Sequence, residues 1–407
     1  MASDQRFYSS ETDQPKPSRG ITDPIKMTDT PPEKKQKIGD VLTTGDNTEG
    51  IEILRQKLHE WGHWMYYYQT FNKELDYKPQ YQMHVVLASE FDAKCSFYSS
   101  NFSFSMDPVI IGGVKPCSYS ELESITDFKV PCTPCLKSYV RRLFSGTIDK
   151  GFEKRPVIVK TWDFPFVGGY YFYNVPDKFC DLIEFYTDPE VRNHPNLAKL
   201  SMYCYEKRLA AVFDEKFTVL LSEMLLDDEF GWHDRIWVAT QLAELLAWLH
   251  RRRIAVGSVE GSSIMVDEEM NIKVLGFGCV SRHIDEDSKL PVSKTYYREA
   301  YEVLYGGVRM MKSDVFVFGI LLVELIAKKK YSFEMRPHNI IEDAQVMAAN
   351  GKKGLVHESF KEVNDDTAKK ITDFTLSCLD EEPTNRHKMA YVFEFLANLR
   401  GMSNCSV

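Results

Sequence analysis

Hydrophobic positions along this 407-residue chain fall into distinct regimes. Residues 1–49 show no period; they are rich in Pro, Ser, Thr, Asp and Lys and poor in aromatics. Such a stretch buries too little surface to offset the entropy of ordering, which predicts a disordered tail. At Ile51 the pattern changes. Leu54, Leu58, Trp61 and Met65 recur on one face, the signature of an amphipathic helix. Residues 80–112 then alternate in the β manner through Tyr81, Met83 and Val85 and through Phe97, Phe102 and Phe104. Further on, Ile236, Ala239, Leu242, Leu246 and Leu249 return every three or four residues, predicting a helix that ends near His250-Arg251. Two β-branched runs follow, Ile264-Met265-Val266 and Ile272-Lys273-Val274-Leu275. Asp267-Glu268-Glu269 joins them, and this predicts a hairpin leading into Gly276-Phe277-Gly278.

Composition narrows the functional classes. At 43% hydrophobic and 27% charged residues, the chain is ordinary for a globular protein with a large core. A net charge of −9 argues against a nucleic-acid partner, which requires a basic face. No run of 18 apolar residues occurs. The start, Met-Ala-Ser-Asp-Gln, lacks the features of a signal peptide, and Ala2 stands where a myristoylation motif requires glycine. Nine cysteines include a single C-x-x-C, Cys132 and Cys135, with no second pair at zinc spacing; free thiols in a reducing cytoplasm are expected.

One metal motif is present. His59-Glu60-Trp61-Gly62-His63 matches H-E-x-x-H, which on a helix sets two imidazoles one turn apart with a carboxylate beside them. A zinc hydrolase acting through His59, Glu60 and His63 is therefore one alternative. Gly62 within the helix weakens it by about 1 kcal/mol. No third ligand stands at a recognisable spacing, so the main expectation is no metal.

From Cys117 to about Arg400, a longer series of matches appears in order. Phe144-Ser145-Gly146-Thr147 and Arg155 to Lys160 read as paired strands, and Asp177–Thr187 as a helix ended by Pro189. His194-Pro195-Asn196-Leu197 and Ala211 to Glu215 follow, then the helix from Trp232 to His250, Ala300-Tyr301-Glu302, Ser313-Asp314-Val315 to Gly319, and Cys378 to Arg386. Together these resemble a protein kinase of the plant receptor-like cytoplasmic group. The resemblance implies an α+β, two-lobed protein-kinase-like fold, with a small β-rich lobe, a large helical lobe and an N-terminal extension. The expected divisions are a tail at 1–49, an extension of unknown fold at 50–115, a small lobe at 116–215, a large lobe at 216–400 and a tail at 401–407.

Against the kinase pattern H-R-D-x-K-x-x-N and D-F-G, the chemistry-bearing positions are changed. The proton-accepting aspartate becomes Ser258, the lysine two residues on becomes Glu260, the metal-binding asparagine becomes Ser263, and the metal-binding aspartate becomes Gly276. The glycine-rich loop would fall near Leu136, Ser138 and Arg141, and Val130 to Leu143 contains no glycine. Phosphoryl transfer depends on positioned phosphates, neutralised charge and an oriented nucleophile, and each requirement loses its usual residue. Lys160 survives as a vestige of an ATP site, with Glu184 its expected partner on the following helix. Phe277, Asp314, Glu302 and Arg386 also survive; the family uses them to hold the fold.

These substitutions lead to the expectation of a non-enzyme: a pseudokinase with ATP and Mg²⁺ binding weak or absent. It would serve as a scaffold, decoy or adaptor in plant receptor-kinase or immune signalling. The resemblance implies protein partners, namely an active receptor-like kinase, an immune receptor or an effector. The expected location is cytoplasmic, or peripheral at the plasma membrane through such a partner. A first alternative is an atypical Ser/Thr protein kinase with weak ATP-dependent activity. Ser293 and Thr295 are candidate phosphosites; because Gly257 replaces the arginine of H-R-D, the catalytic loop itself offers a phosphate no partner.

Overall fold

The computed structural model describes residues 47–58, 108–129, 131–132, 141–149, 151, 153–162, 174–206, 208–277, 280–282, 284, 289–291, 299–332 and 335–404. The histidine motif at 59–63, the strands expected before residue 108, and Ser293 and Thr295 lie outside the described residues.

Five strands make the small-lobe sheet: β1 (Lys115–Pro116), β2 (Arg141–Asp149), β3 (Lys154–Trp162), β4 (Leu200–Cys204) and β5 (Leu209–Phe213), in the order β1-β4-β5-β3-β2. Strand β3 lies in the interior of this sheet. Val157 to Trp162 are buried in succession, as expected of a strand covered on both faces. The β2–β3 and β3–β5 registers set Lys160 opposite both Leu143 and Ala211.

One helix, Asn174–Thr187, packs beside the sheet. It begins three residues before the expected start, because Pro176 is tolerated in a first turn, where no amide donor is missed. Its buried residues Phe179, Cys180, Leu182, Ile183, Phe185 and Tyr186 form a broad apolar stripe. Residues 47–58 are helical, and Ile51, Leu54 and Leu58 join the same core at 4% exposure or less.

In the large lobe, the long helix Trp232–Arg251 follows the expected apolar period. Beside it runs Met311–Ile326, in which every residue from Ser313 to Ile326 is buried. A helix buried all round belongs at the centre of a core, and its few polar residues, Ser313, Asp314 and Glu324, are buried with it. The expected hairpin is present as β7 (Ile264–Val266) and β8 (Ile272–Val274), joined by β6 (Val219–Leu220) in a three-stranded sheet of order β6-β7-β8. Asp267 closes its turn by accepting from the amides of Glu269 and Asn271 at 3.0 and 2.7 Å.

Candidate functional site: the interlobe cleft and the catalytic loop

Lys160 is 2% exposed, and its Nζ donates to the Leu275 carbonyl at 3.1 Å. That carbonyl immediately precedes Gly276, whose φ of +144° suits glycine. A Cβ on Gly276 would stand 2.7 Å from the Lys160 ammonium and 2.9 Å from Leu182 Cδ1. The volume of a side chain at this position is thus already taken by the lysine and the helix. Phe277 meets Phe185 edge to face, with ring centroids 5.6 Å apart. Tyr186 donates to the Val274 carbonyl at 2.6 Å, fixing the helix to β8.

The helix phase corrects one expectation. Leu182, not Glu184, is presented to Lys160 and Gly276. Two residues further along, a helix has turned by about 200°, and Glu184 faces Arg282 (3.4 Å) and Arg55 (3.9 Å) instead. Arg55, from the helical segment 47–58, also reaches Asp177 at 3.0 Å and Asp181 at 3.3 Å. Arg282 pairs in addition with Asp188. Burial pushes the Asp181 carboxyl up to about 6, against the pull of Arg55.

Below the cleft, the catalytic loop hangs from Asp314. This fully buried carboxylate accepts from the amides of Val256 and Gly257, both at 2.9 Å, and lies 2.9 Å from His250 Nε2. Gly257 has a φ of +63°. A Cβ there would come within 2.7 Å of the Arg309 guanidinium, so the absence of a side chain admits the arginine. Arg309 is fully buried and bonds Glu299 at 3.2 Å. Burial raises the Glu299 carboxyl, while Arg309 lowers it. A guanidinium is therefore present beneath the loop where the sequence pattern shows only glycine. Nothing in the motif spacing points to Arg309; it comes from a different segment.

On the loop, Glu260 is the sole carboxylate between Val256 and Ser263. Its two oxygens accept from Ser258 Oγ at 2.8 Å and from Ser262 Oγ at 3.2 Å. Ser263 holds the hairpin through its backbone, accepting from the Leu275 amide at 2.8 Å. At the far end of the lobe, Arg386 grips Glu302 with two parallel bonds of 2.7 and 3.0 Å, and its Nε donates to the Asp380 carbonyl at 2.7 Å. Ser313 Oγ adds a bond to Glu302 at 2.6 Å. Among the described residues, no group of three or more His, Cys, Asp or Glu side chains is arranged to hold a metal ion.

Residues 179–396, just over half of the chain, match the protein tyrosine and serine/threonine kinase family. The chain belongs to that family. The chain is similar to "Probable serine/threonine-protein kinase CST" of Arabidopsis thaliana, at 29% identity over 225 residues, covering 52% of the chain and 54% of the relative. It resembles "Probable serine/threonine-protein kinase PBL17" of the same plant at 29% identity over 223 residues, covering 51% and 50%. Similarity reaches further along an "EPD1-interacting receptor-like cytoplasmic serine/threonine-protein kinase" of Nicotiana benthamiana, at 24% identity over 335 residues, covering 78% and 70%. The chain spans about half the length of the first two relatives.

Two expectations are corrected by these matches. The chain is not to be classed as a non-enzyme from its loop substitutions, because the relatives it matches are named as serine/threonine-protein kinases. Nor is it to be classed as free of ATP and Mg²⁺, the usual co-reactants of that chemistry. Substitution at a motif position removes one side chain; it leaves the fold and its other groups in reach of the cleft, Lys160 and Glu260 among them. The fit to each co-reactant differs. Lys160, a buried cation at the base of the cleft, suits a phosphate. Ser263 and Gly276 provide no carboxylate and do not fit Mg²⁺, which takes one or two carboxylates alongside the phosphates.

Proposed function

We propose that this chain is an atypical serine/threonine protein kinase of the receptor-like cytoplasmic type, with slow ATP-dependent activity in plant receptor-kinase signalling. The observation that carries the reading is the catalytic loop. It hangs from Asp314 by two amide bonds and presents Glu260 as its only carboxylate. In the proposed reaction, the substrate hydroxyl oxygen bonds to the γ-phosphorus as the bond to the ADP oxygen breaks. Glu260 accepts the hydroxyl proton, a role that Ser258 cannot fill near neutral pH. General-base catalysis of this kind is worth about 10²–10⁴-fold. Lys160 is proposed to hold a phosphate of the nucleotide.

An adaptor or decoy role alongside turnover is favoured by one observation: neither Ser263 nor Gly276 supplies a carboxylate to the cleft. On this reading a receptor-like kinase, an immune receptor or an effector recognises the kinase surface. The protein would act in the cytoplasm or at the membrane through such a partner. Among the described residues, no helix is long and apolar enough to cross a membrane. We assign the small lobe to 116–215 and the large lobe to 216–400, with 50–115 as an extension.

The test is incorporation of radiolabelled phosphate from ATP into the protein itself and into a generic basic protein substrate, with Mg²⁺ or Mn²⁺ supplied. Slow labelling is expected for wild type, lost in both Lys160→Met and Glu260→Gln. Labelling of wild type no greater than that of Lys160→Met would overturn the kinase reading.

A further inference from the structure

A pair of thiols lies in the small-lobe sheet, and the kinase reading gives it no role. Among the described residues β1 stands at one edge of that sheet and pairs with β4 in parallel, Lys115 opposite Met202 and Pro116 opposite Tyr203. One step further in the same register, Cys117 comes opposite Cys204, and the Cys117 amide donates to the Tyr203 carbonyl at 2.8 Å. Both cysteines belong to one apolar cluster on a single face of the sheet, with Leu122 of the helix Tyr119–Ile125, Phe144, Val157 and Val212. Neighbouring strands lie about 4.8 Å apart, inside the Cα separation of about 4.4–6.8 Å that a disulfide bridges. Both are free thiols here, and the Cys204 thiol donates a hydrogen bond to the Cys117 sulfur.

We propose that Cys117 and Cys204 form a reversible redox site, in which a peroxide oxidises Cys117 and Cys204 closes a disulfide that pins β1 to β4. The two thiols differ in ways that assign their roles. Cys117 follows an edge strand of two residues and is flanked by the part-exposed Pro116 and Ser118, a place where local opening costs least. Cys204 ends an interior strand and is fully buried. The hydrogen bond from Cys204 holds the Cys117 thiol below its usual range, although burial, Glu121 and Glu206 oppose it. Burial pushes Cys180 and Cys378, the other buried thiols among the described residues, up to about 12. The thiolate is the attacking form, so Cys117 is the reactive member. Disulfides in a reducing cytoplasm are of this transient, redox-sensing kind.

With hydrogen peroxide as oxidant the steps balance. The Cys117 thiolate attacks one peroxide oxygen; the S–O bond forms, the O–O bond breaks, and the leaving hydroxide takes a proton to become water. Cys204 then attacks the sulfenic sulfur of Cys117; the S–S bond forms, the S–O bond breaks, and the oxygen leaves as a second water with the Cys204 proton. The two sulfurs give up one electron each and the peroxide takes both. The Cys204 thiol is raised first by its bond to Cys117 and then by burial. Oxidation of Cys117 removes the first of these causes, so the initial step prepares the second.

The test needs no turnover, so its result is separable from that of the labelling assay. The full chain is treated with hydrogen peroxide under native conditions, its remaining thiols are blocked with a maleimide, and it is cleaved before aspartate without reduction. That cleavage leaves Cys117 in fragment 107–126, Cys204 in fragment 188–213 and Cys95 in fragment 92–106, so mass spectrometry reads each thiol separately. Fragments 107–126 and 188–213 are expected to appear joined, and dithiothreitol to part them. Cys204→Ala is expected to stop at a sulfenic acid on Cys117 that dimedone traps, and Cys117→Ala to leave Cys204 unoxidised. In oxidised wild type the Cys117 amide should exchange its hydrogen at least about tenfold more slowly, because the edge strand no longer opens freely. Recovery of both fragments separately with maleimide on each cysteine would overturn the proposal. So would a bond from either to a different cysteine, or joining that appears only in denaturant. Unchanged exchange in the joined form would overturn the pinning of β1.

Discussion

The floor of the large lobe and the cleft above it share one loop and follow opposite rules. On the floor, opposite charges and polar groups meet within hydrogen-bond distance. Asp314 accepts two amides and contacts His250, and Arg386 clasps Glu302 with both terminal nitrogens while donating to backbone carbonyls. In the cleft, the positions that kinases fill with carboxylates or an amide hold Ser258, Ser263 and Gly276, and Lys160 turns to the Leu275 carbonyl. The difference teaches that the ties holding a kinase fold and the groups performing its chemistry are separable. The first are internal and buried, so their loss is felt without any ligand. The second act only on a bound nucleotide, and the folded state tolerates their change.

Breaking a floor tie is the largest expected effect. Arg386→Ala leaves Glu302, at 10% side-chain exposure, facing a vacated site, and removing one partner of such a pair costs about 3–5 kcal/mol. By contrast, Lys160→Met keeps the aliphatic stem, and its bond to the Leu275 carbonyl is worth about 1.5–3 kcal/mol for a charged donor. Denaturant titration of both variants checks the order. A larger loss for Lys160→Met would make the cleft, and not the floor, the structural centre.

Gly257→Ala comes next. It places a Cβ on the Arg309 guanidinium at 2.7 Å and imposes a left-handed φ of +63° on a residue with a side chain. Such strain costs about 1–3 kcal/mol. The loss should shrink in the double variant Gly257→Ala/Arg309→Met, where the guanidinium is gone. An equal loss in both backgrounds, compared by melting temperature, would assign the cost to the backbone alone.

Much of the floor was legible in the sequence and much of the cleft was not, for a physical reason. The long helix, the hairpin, Asp314 and the Glu302–Arg386 pair sit in segments whose apolar period or motif spacing is local. Arg309 beneath Gly257 and Arg55 against Asp177 and Asp181 are contacts between distant segments, marked by no local pattern. Glu184 shows the same limit within one helix. The period locates the helix, but which of Leu182 and Glu184 faces Lys160 depends on how the helix packs. The substitutions at Ser258, Ser263 and Gly276 were plain to read; what they imply for activity was not, because Glu260 gains its setting only when Ser258 and Ser262 are folded around it.

Titration separates His194 and Asp181 by sign. Burial holds the His194 imidazole down at about 4, where it packs against Trp248 with the rings tilted by 59° and centroids 4.5 Å apart. In the unfolded chain the imidazole takes up its proton near its ordinary value of 6.5. Between those values the unfolded state binds more protons, so the contribution of His194 to stability is lost as pH falls from about 6.5 toward 4. His194→Phe should therefore flatten the decline in melting temperature between pH 7 and 5. An unchanged slope would dismiss His194 as its source.

Asp181 carries the smallest effect and the opposite sign. Its carboxyl is raised from 3.8 to about 6, first by burial, with Arg55 opposing. Between those values the folded state holds the proton and the unfolded state does not, so this group favours folding most at low pH. That advantage is lost as pH rises through about 6. At pH 7.5 the ionised side chain bears a desolvation cost that its contact with Arg55 does not cancel. Asp181→Asn removes the charge and nearly preserves the shape, and Arg55 keeps Asp177 and Glu184 as neighbours. The side chain is 28% exposed, so solvent screening keeps the gain small. The variant should melt slightly above wild type at pH 7.5 and level with it, or below, at pH 4.5. A variant that melts below wild type at pH 7.5 would mean that the Arg55 contact outweighs desolvation. The segment 47–58 would then be held to the small lobe by charge as well as by Ile51, Leu54 and Leu58.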